Sequence, residues 1–464
     1  MVEKEERVEV VKGLETLWKT EDWWAVWIAF LIILMGIAAY LSGSSLKSLA
    51  VYPATWTGLD AVVNHFAVNL TGYAANFAFW IVVFTISSTI LGYDPKKFTP
   101  SFIFVYLLSA LIAVLSSNAG AKNYNLEAPL LALLVGLIIG NFVKLPESMD
   151  SGFRVEFYIK TGIVLLGATL PFTLILYAGP VAFIQATIIS VTTFLTIFYV
   201  ATRLLNLDKR FGAVLGAGGA VCGVSGAIAM AAAVKAKKEH VSMAITTVIV
   251  WAIIMIFLLP FASKALNLHP GIAGAWIGTS EFADAAGFAA AQQYGLMYQS
   301  ANPSVAADIG EMAIRTYTLM KVIGRDIWIG LWAFVMAIIS VTRWEGSPSN
   351  ERPSPIEIWW RFPKFVLGFF AASLLISLFT ASVPLKVYLD QMKPALIGPI
   401  KTMRTWTFIF AFLSIGITTR FRELSETGSK PWIAFSSGVV VNVILGFILS
   451  VIILGSYWSS IPTL

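Results

Sequence analysis

Phe211-Gly-Ala-Val-Leu-Gly-Ala-Gly-Gly-Ala-Val-Cys-Gly-Val-Ser-Gly226 decides how this chain is read. Six of these sixteen residues are glycine, and each weakens a helix by about 1 kcal/mol relative to alanine. The chain around them is built from long apolar runs. In hydrocarbon, loosened backbone persists only where it is buried in protein or lines a watery cavity. Secondary transporters form binding sites from broken helices at membrane depth, with bare amide groups turned toward a solute. The run therefore predicts a discontinuous helix on a solute path.

Composition supports the membrane setting. The 464 residues are 58% hydrophobic and only 12% charged, with a mean hydropathy of +0.79; a soluble domain carries about 25% charged residues. Apolar runs near spanning length lie at 22–42, 72–92, 101–118, 126–143, 156–178, 180–202, 241–262, 318–342, 363–384, 399–418 and 432–456. Residues 211–234 and 271–294 are apolar but rich in small side chains. The expected fold is an all-α polytopic membrane protein of about eleven spans plus two discontinuous helices. Residues 1–21 read as a cytoplasmic surface helix, 22–125 as a three-span extension with a scaffold or oligomerising role, and 126–464 as the transporter domain.

Basic residues orient the chain. With the N-terminus inside, eighteen lysines and arginines fall on cytoplasmic segments and six outside: Lys47, Lys122, Lys386, Lys393, Lys401 and Arg404. This places the N-terminus in the cytoplasm of a multi-pass cell-membrane protein and the C-terminus outside. Gly167, Thr169, Phe172 and Gly179 recur at a constant shift of 249 as Gly416, Thr418, Phe421 and Gly428. On this sidedness the two segments run in opposite directions, as an inverted repeat requires.

Three sets of residues carry chemistry. Freed amides near Gly218, Gly219, Val221, Cys222 and Gly223, with the Ser225 hydroxyl, form an anion-binding surface. In the second small-residue segment Glu281 and Asp284 share a helical face, and intramembrane carboxylates mark ion or proton pathways; Thr279 and Ser280 add oxygens one turn earlier. These groups suit Na⁺ binding or a carried proton. Lys321 and Arg325, four residues apart, then serve as partners for Glu281, Asp284 or an anionic substrate. One cysteine and three scattered histidines argue against a disulfide framework, a thiolate metal site or a resident cofactor. No nucleophile–base set or nucleotide loop is present, so an enzyme is not expected, and no basic soluble module supports nucleic-acid binding.

The motifs ALLVGLIIGN (132–141), KTGIVLLGATL (160–170), GAGGAVCGVSGAIAMAAAV (216–234), AGAWIGTSEFADAAGFAAA (273–291) and AFLSIGITTRFRELSETGSKP (411–431) resemble the YeiH family of bacterial and archaeal membrane proteins, associated with sulfate export. The resemblance runs from about residue 126 to the end. This chain has Ser280-Glu281 where the family carries a His-Glu motif, and Asp284 where it carries an amide. The resemblance implies kinship with bile-acid symporters and cation/proton antiporters. It also implies inverted repeats, two broken helices crossing in a mobile core domain, a dimerising scaffold and elevator-like movement. The functional expectation is an ion-coupled secondary transporter, working as a homodimer in the bilayer, for a small anion such as sulfate, a sulfonate or a small carboxylate. A passive anion channel and a membrane-embedded sensor or scaffold are the alternatives.

Overall fold

A computed structural model describes residues 13–462 apart from 124–125, 127, 306, 345–355 and 421–427. Much of the expected surface helix at 1–21 and Phe421 of the repeat lie outside the described residues. Those described are helical, with no strand among them. The main helices are α1 (Glu21–Leu41), α2 (Leu59–Ile90), α3 (Pro95–Ser116), α4 (Ala128–Phe142), α5 (Val155–Gly167), α6 (Phe172–Tyr199), α7 (Lys209–Ala220), α8 (Val224–Val234), α9 (Lys238–Ala265), α10 (Pro270–Ser280), α11 (Asp284–Ala301), α12 (Ala307–Thr318), α13 (Trp328–Ile339), α14 (Lys364–Thr380), α15 (Gly398–Thr418) and α16 (Ser429–Phe447). Among the described residues, seven helical stretches are long and apolar enough to cross a membrane, including Phe172–Leu204 and Asp308–Trp344; Ala128–Phe142, Val224–Val234 and Lys364–Thr380 are shorter apolar helices.

Three expected boundaries need correction. The run at 156–178 is not one span. Helix α5 stops at Gly167 and α6 starts at Phe172, because Pro171 disfavours helical geometry at Leu170. Thirteen residues of α5 rise about 20 Å, short of the roughly 30 Å of a hydrocarbon core. Helix α2 begins at Leu59 rather than near 72, and α11 runs to Ala301, past the expected end of its segment at 294.

The helices pack in two groups. Helices α1 to α5 pack together with α14 and α15, while α6 to α13 pack with α16. Residues 126–170 and 363–418 thus share a body with the N-terminal helices. Small residues let backbones approach where no hydrophobic force drives association. Gly136 and Gly140 of α4 face the α15 backbone at Leu413, Gly416 and Ile417, where a Cβ would strike it. Aromatic rings at Trp80, Phe84, Phe102, Tyr158 and Phe410 fill the space between α2, α3, α5 and α15. At one end of this body, Lys160 reaches Asp22 at 2.9 Å and Glu156 at 3.4 Å, and Arg154 pairs with Glu21. Helix α11 joins the groups by packing on α4, α5 and α15, with Phe288 5.3 Å from Phe408.

Candidate functional site

Both small-residue segments are interrupted. Asp208 caps α7 by accepting from the amides of Arg210 and Phe211. The helix ends at Ala220, and the chain turns through Val221 and Gly223 before α8 begins. Gly223 has φ 63° and ψ −104°, where a side chain is strained. A Cβ there would lie 2.7 Å from the Phe282 carbonyl oxygen, so the first break touches the second. His269 caps α10 by accepting from the Gly271 amide at 3.2 Å. Helix α10 ends at Ser280, and extended backbone at Glu281 and Ala283 precedes α11. No glycine or proline lies in this second break. Glu281 Oε1 instead accepts from the amides of Phe282 at 2.8 Å and Ala283 at 3.2 Å.

Helix α12 continues past Thr318 as a π-helical stretch, Leu319–Arg325. Such widened turns recur at functional sites. At about 1.5 Å per residue, Lys321 lies some 20 Å along the helix from Asp308. Its Nζ donates to the carbonyls of Val221 at 2.7 Å, Glu281 at 3.2 Å and Phe282 at 3.3 Å. Arg325 donates to Gly219 and Thr279 at 2.8 and 2.7 Å, to Glu281 at 2.8 Å and to Ala220 at 3.2 Å. The negative ends of α7 and α10 are therefore held by two buried cations, as the helix dipole favours. At the positive ends, no side chain caps the N-terminus of α8, while the Glu281 carboxylate accepts from the Ala283 amide at the N-cap of α11.

The structure brings the sequence-selected residues together at this crossing. Gly219 and Val221 contribute carbonyls to the two cations, while Gly218 packs on Val248. Cys222 is buried between the breaks, and Ser225 is half-buried in the first turn of α8. The Thr279 hydroxyl donates to Trp276 within α10. The hydroxyl of Ser280 and Oε2 of Glu281 are buried without a hydrogen-bond partner. Asp284 Oδ1 lies 3.6 Å from Lys321 Nζ. Of the expected side-chain pairings only Lys321 with Asp284 is seen, and the hydrogen bonds of both cations go to backbone carbonyls, that of Glu281 included.

Two residues were missed. Asp326, next to Arg325, is fully buried with both carboxylate oxygens unpartnered; the Lys-x-x-x-Arg-Asp pattern inside an apolar run was its signal. Asn442 of α16 is fully buried with both amide atoms unpartnered. Gly446, one turn on, lets α16 approach α10, where a Cβ would lie 2.6 Å from Thr279 Oγ1 and 2.8 Å from Ser280 Oγ. A lone amide within VVVNVILGF was the available cue.

Comparison with known proteins places this architecture in a family. The family model described as Conserved hypothetical protein 698 matches residues 100–435. A UPF0324 membrane protein of Rhodopirellula baltica is 35% identical over 89% of this chain and 73% of its own length. One from Nitrosomonas europaea is 30% identical over 88% of this chain and 90% of its own. A third, from Nitratidesulfovibrio vulgaris, is 33% identical over 78% of this chain, which spans 60% of that relative. Among solved structures, the sodium/proton antiporter MjNhaP1 of Methanocaldococcus jannaschii aligns over 79% of this chain and 98% of its own, at 15% identity and a TM-score of 0.24; that likeness carries no argument. The chain belongs to the UPF0324 membrane proteins, the YeiH family that its glycine and carboxylate motifs resemble.

Proposed function

We propose that this protein is a secondary active transporter of a small anion. The observation that carries the reading is the polarity of the crossing. Buried cations occupy the carbonyl ends of the two broken helices, while the amide end of α8 has no side-chain cap. Helix N-termini attract anions, and Ser225, Ser280 and the amides near Cys222 and Gly223 give such a guest hydrogen-bond donors. An inorganic oxyanion, a sulfonate or a small carboxylate fits this chemistry. Lys321 and Arg325 lend positive charge to the centre, and Glu281 and Asp284 serve coupling to H⁺ or Na⁺.

The group α6 to α13 with α16 acts as the moving core, and the group containing α1 to α5, α14 and α15 acts as the scaffold and homodimer contact. Two further features agree with inverted repeats. A shift of 249 carries the end of α5 to Gly416, two residues before the end of α15, and the π-helical turn Val200–Leu204 to 449–453, within Ile448–Ile453. The protein would sit in the cell membrane with its N-terminus in the cytoplasm and its C-terminus outside.

The test is uptake of labelled sulfate, methanesulfonate or acetate by liposomes containing the purified protein, under imposed proton and sodium gradients. Saturable uptake is expected, with Gly219→Leu and Gly223→Leu inserting normally and transporting nothing. No uptake of any of the three under either gradient refutes the reading. Flux that never saturates replaces it with a passive channel.

A further inference from the structure

Asp326 belongs to the crossing but has no role in the hydrogen-bond pattern described above. It occupies the turn after the π-helical stretch, where its amide bonds the Lys321 carbonyl at 2.9 Å. Its side chain is fully buried and neither carboxylate oxygen has a hydrogen-bond partner. A carboxylate oxygen of Asp326, one of Asp284 and the Cys222 sulfur lie within 4.8 Å of one another. Asp326 therefore points across the gap at Asp284, and the two come from different helices.

The charged and titratable groups around this pair come from each neighbouring element. From its own helix come Lys321, 3.6 Å from Asp284, and Arg325, each of whose three side-chain nitrogens donates to a backbone carbonyl. The second break supplies Glu281, with Oε1 accepting two amides, and the first supplies the Cys222 thiol. Tyr317 donates its phenol hydrogen to the Asp284 carbonyl at 3.1 Å. From α5 come Glu156 and Lys160, an ion pair at 3.4 Å.

Within the crossing, two cations thus face three carboxylates, all of them buried. Fully ionised, the centre keeps one negative charge that nothing there balances. Two carboxylates that share a site away from water can hold one proton between them. A metal ion suits the place less. Hard cations need a shell of oxygen ligands, the nearby carbonyls are engaged by Lys321 and Arg325, and an ammonium stands beside the pair.

We propose that Asp284 and Asp326 form a proton-carrying carboxyl pair, and that the loaded pair is the state that admits the anion. The inference rests on the transporter reading and names its coupling ion. A proton leaves hydronium on one side, forms an O–H bond on the pair, and returns to water on the other side when that bond breaks. Unloaded, the centre carries a net negative charge and repels the substrate; loaded, it is neutral. Proton and anion then move together.

The test uses the full-length protein in liposomes and needs no substrate in its first arm. Infrared difference spectra across a pH titration are expected to show a buried carboxylic acid C=O band that vanishes on ionisation. Asp326→Asn removes that band, while Asp326→Glu, which keeps a carboxyl, retains one at a shifted position. A wild-type protein without the band, or an Asp326→Asn protein that keeps it, overturns the pair. So does ²²Na⁺ bound by the wild type and lost in Asp326→Asn, which would make the site a cation site. In the second arm, uptake of labelled sulfate by the wild type falls about tenfold per pH unit above the loading point, as one-proton linkage requires, and Asp326→Asn flattens the profile. A pH-dependent profile unchanged in Asp326→Asn also overturns the proposal. The band without any anion uptake would refute the transporter reading and leave the pair standing; uptake without the band would do the reverse.

Discussion

Replacing Arg325 with lysine keeps a positive charge at the crossing and removes the planar fork. In the native protein Nε and Nη2 donate to Ala220 and Gly219, at the end of α7, while Nη1 donates to Thr279 and Glu281, at the end of α10. A single guanidinium thereby ties together the carbonyl ends of both broken helices. An ammonium is a compact charge with three donors on a shorter stem and cannot face both ends with that geometry. A lysine facing α7 leaves the Thr279 carbonyl without a partner, since Glu281 keeps Lys321, and one facing α10 leaves both Gly219 and Ala220, each at a cost of about 1–3 kcal/mol in a place without water. The expected destabilisation is about 1–6 kcal/mol, a large part of a folding margin of about 5–15 kcal/mol. Cys222 is the only cysteine in the chain and is buried beside the breaks, so a thiol-reactive fluorophore reads the opening of this region directly. In detergent, Arg325→Lys is expected to label at lower temperature than the wild type. Arg325→Met is expected to open earlier still, because three carboxylates then face Lys321 alone. If Arg325→Lys labels and melts like the wild type and retains anion uptake, the account of a charged clasp holding the crossing is wrong.

Two other substitutions probe different contacts. Gly223→Ala combines an unfavourable backbone region with a Cβ 2.7 Å from both the Phe282 carbonyl oxygen and Val248. Strain and overpacking together cost about 2–5 kcal/mol, and an unchanged melting curve would show that the breaks separate without penalty. Lys160→Met removes the ammonium shared by Glu156 and Asp22, leaving Asp22 with the Lys364 amide. With both carboxylates part-exposed the cost is about 1–3 kcal/mol, and adding Asp22→Asn should restore part of the loss. A double variant less stable than the sum of the two single effects contradicts that coupling.

The two breaks show how unevenly the site was legible. The first could be read from composition, because Gly218, Gly219 and Gly223 give α7 and α8 a weak junction and Gly223 tolerates a positive φ. The second was assigned correctly as a discontinuous segment but for an incomplete reason. Residues 273–291 are rich in alanine, which favours helix, and nothing at 281–283 breaks a helix by itself. The carbonyls of Thr279, Glu281 and Phe282 are drawn out by Lys321 and Arg325 from a helix some forty residues on. Periodicity along one helix carries no record of such a partner.

Apolar run lengths, the scarcity of charge and the glycine cluster determined, from the sequence alone, an all-helical membrane protein with two weakened helices and a rare set of buried charges. Solvent preference and backbone freedom are local properties, written residue by residue. Three things were decided only by tertiary structure. Residues 126–170 and 363–418 pack with the N-terminal helices; Gly167 to Pro171 divide an apolar run that looked continuous; and Asp326 faces Asp284 across the crossing. Each depends on which backbone approaches which, and in a lipid phase that choice turns on close fits of small residues and on partners for buried polar groups, both set between segments distant in the chain.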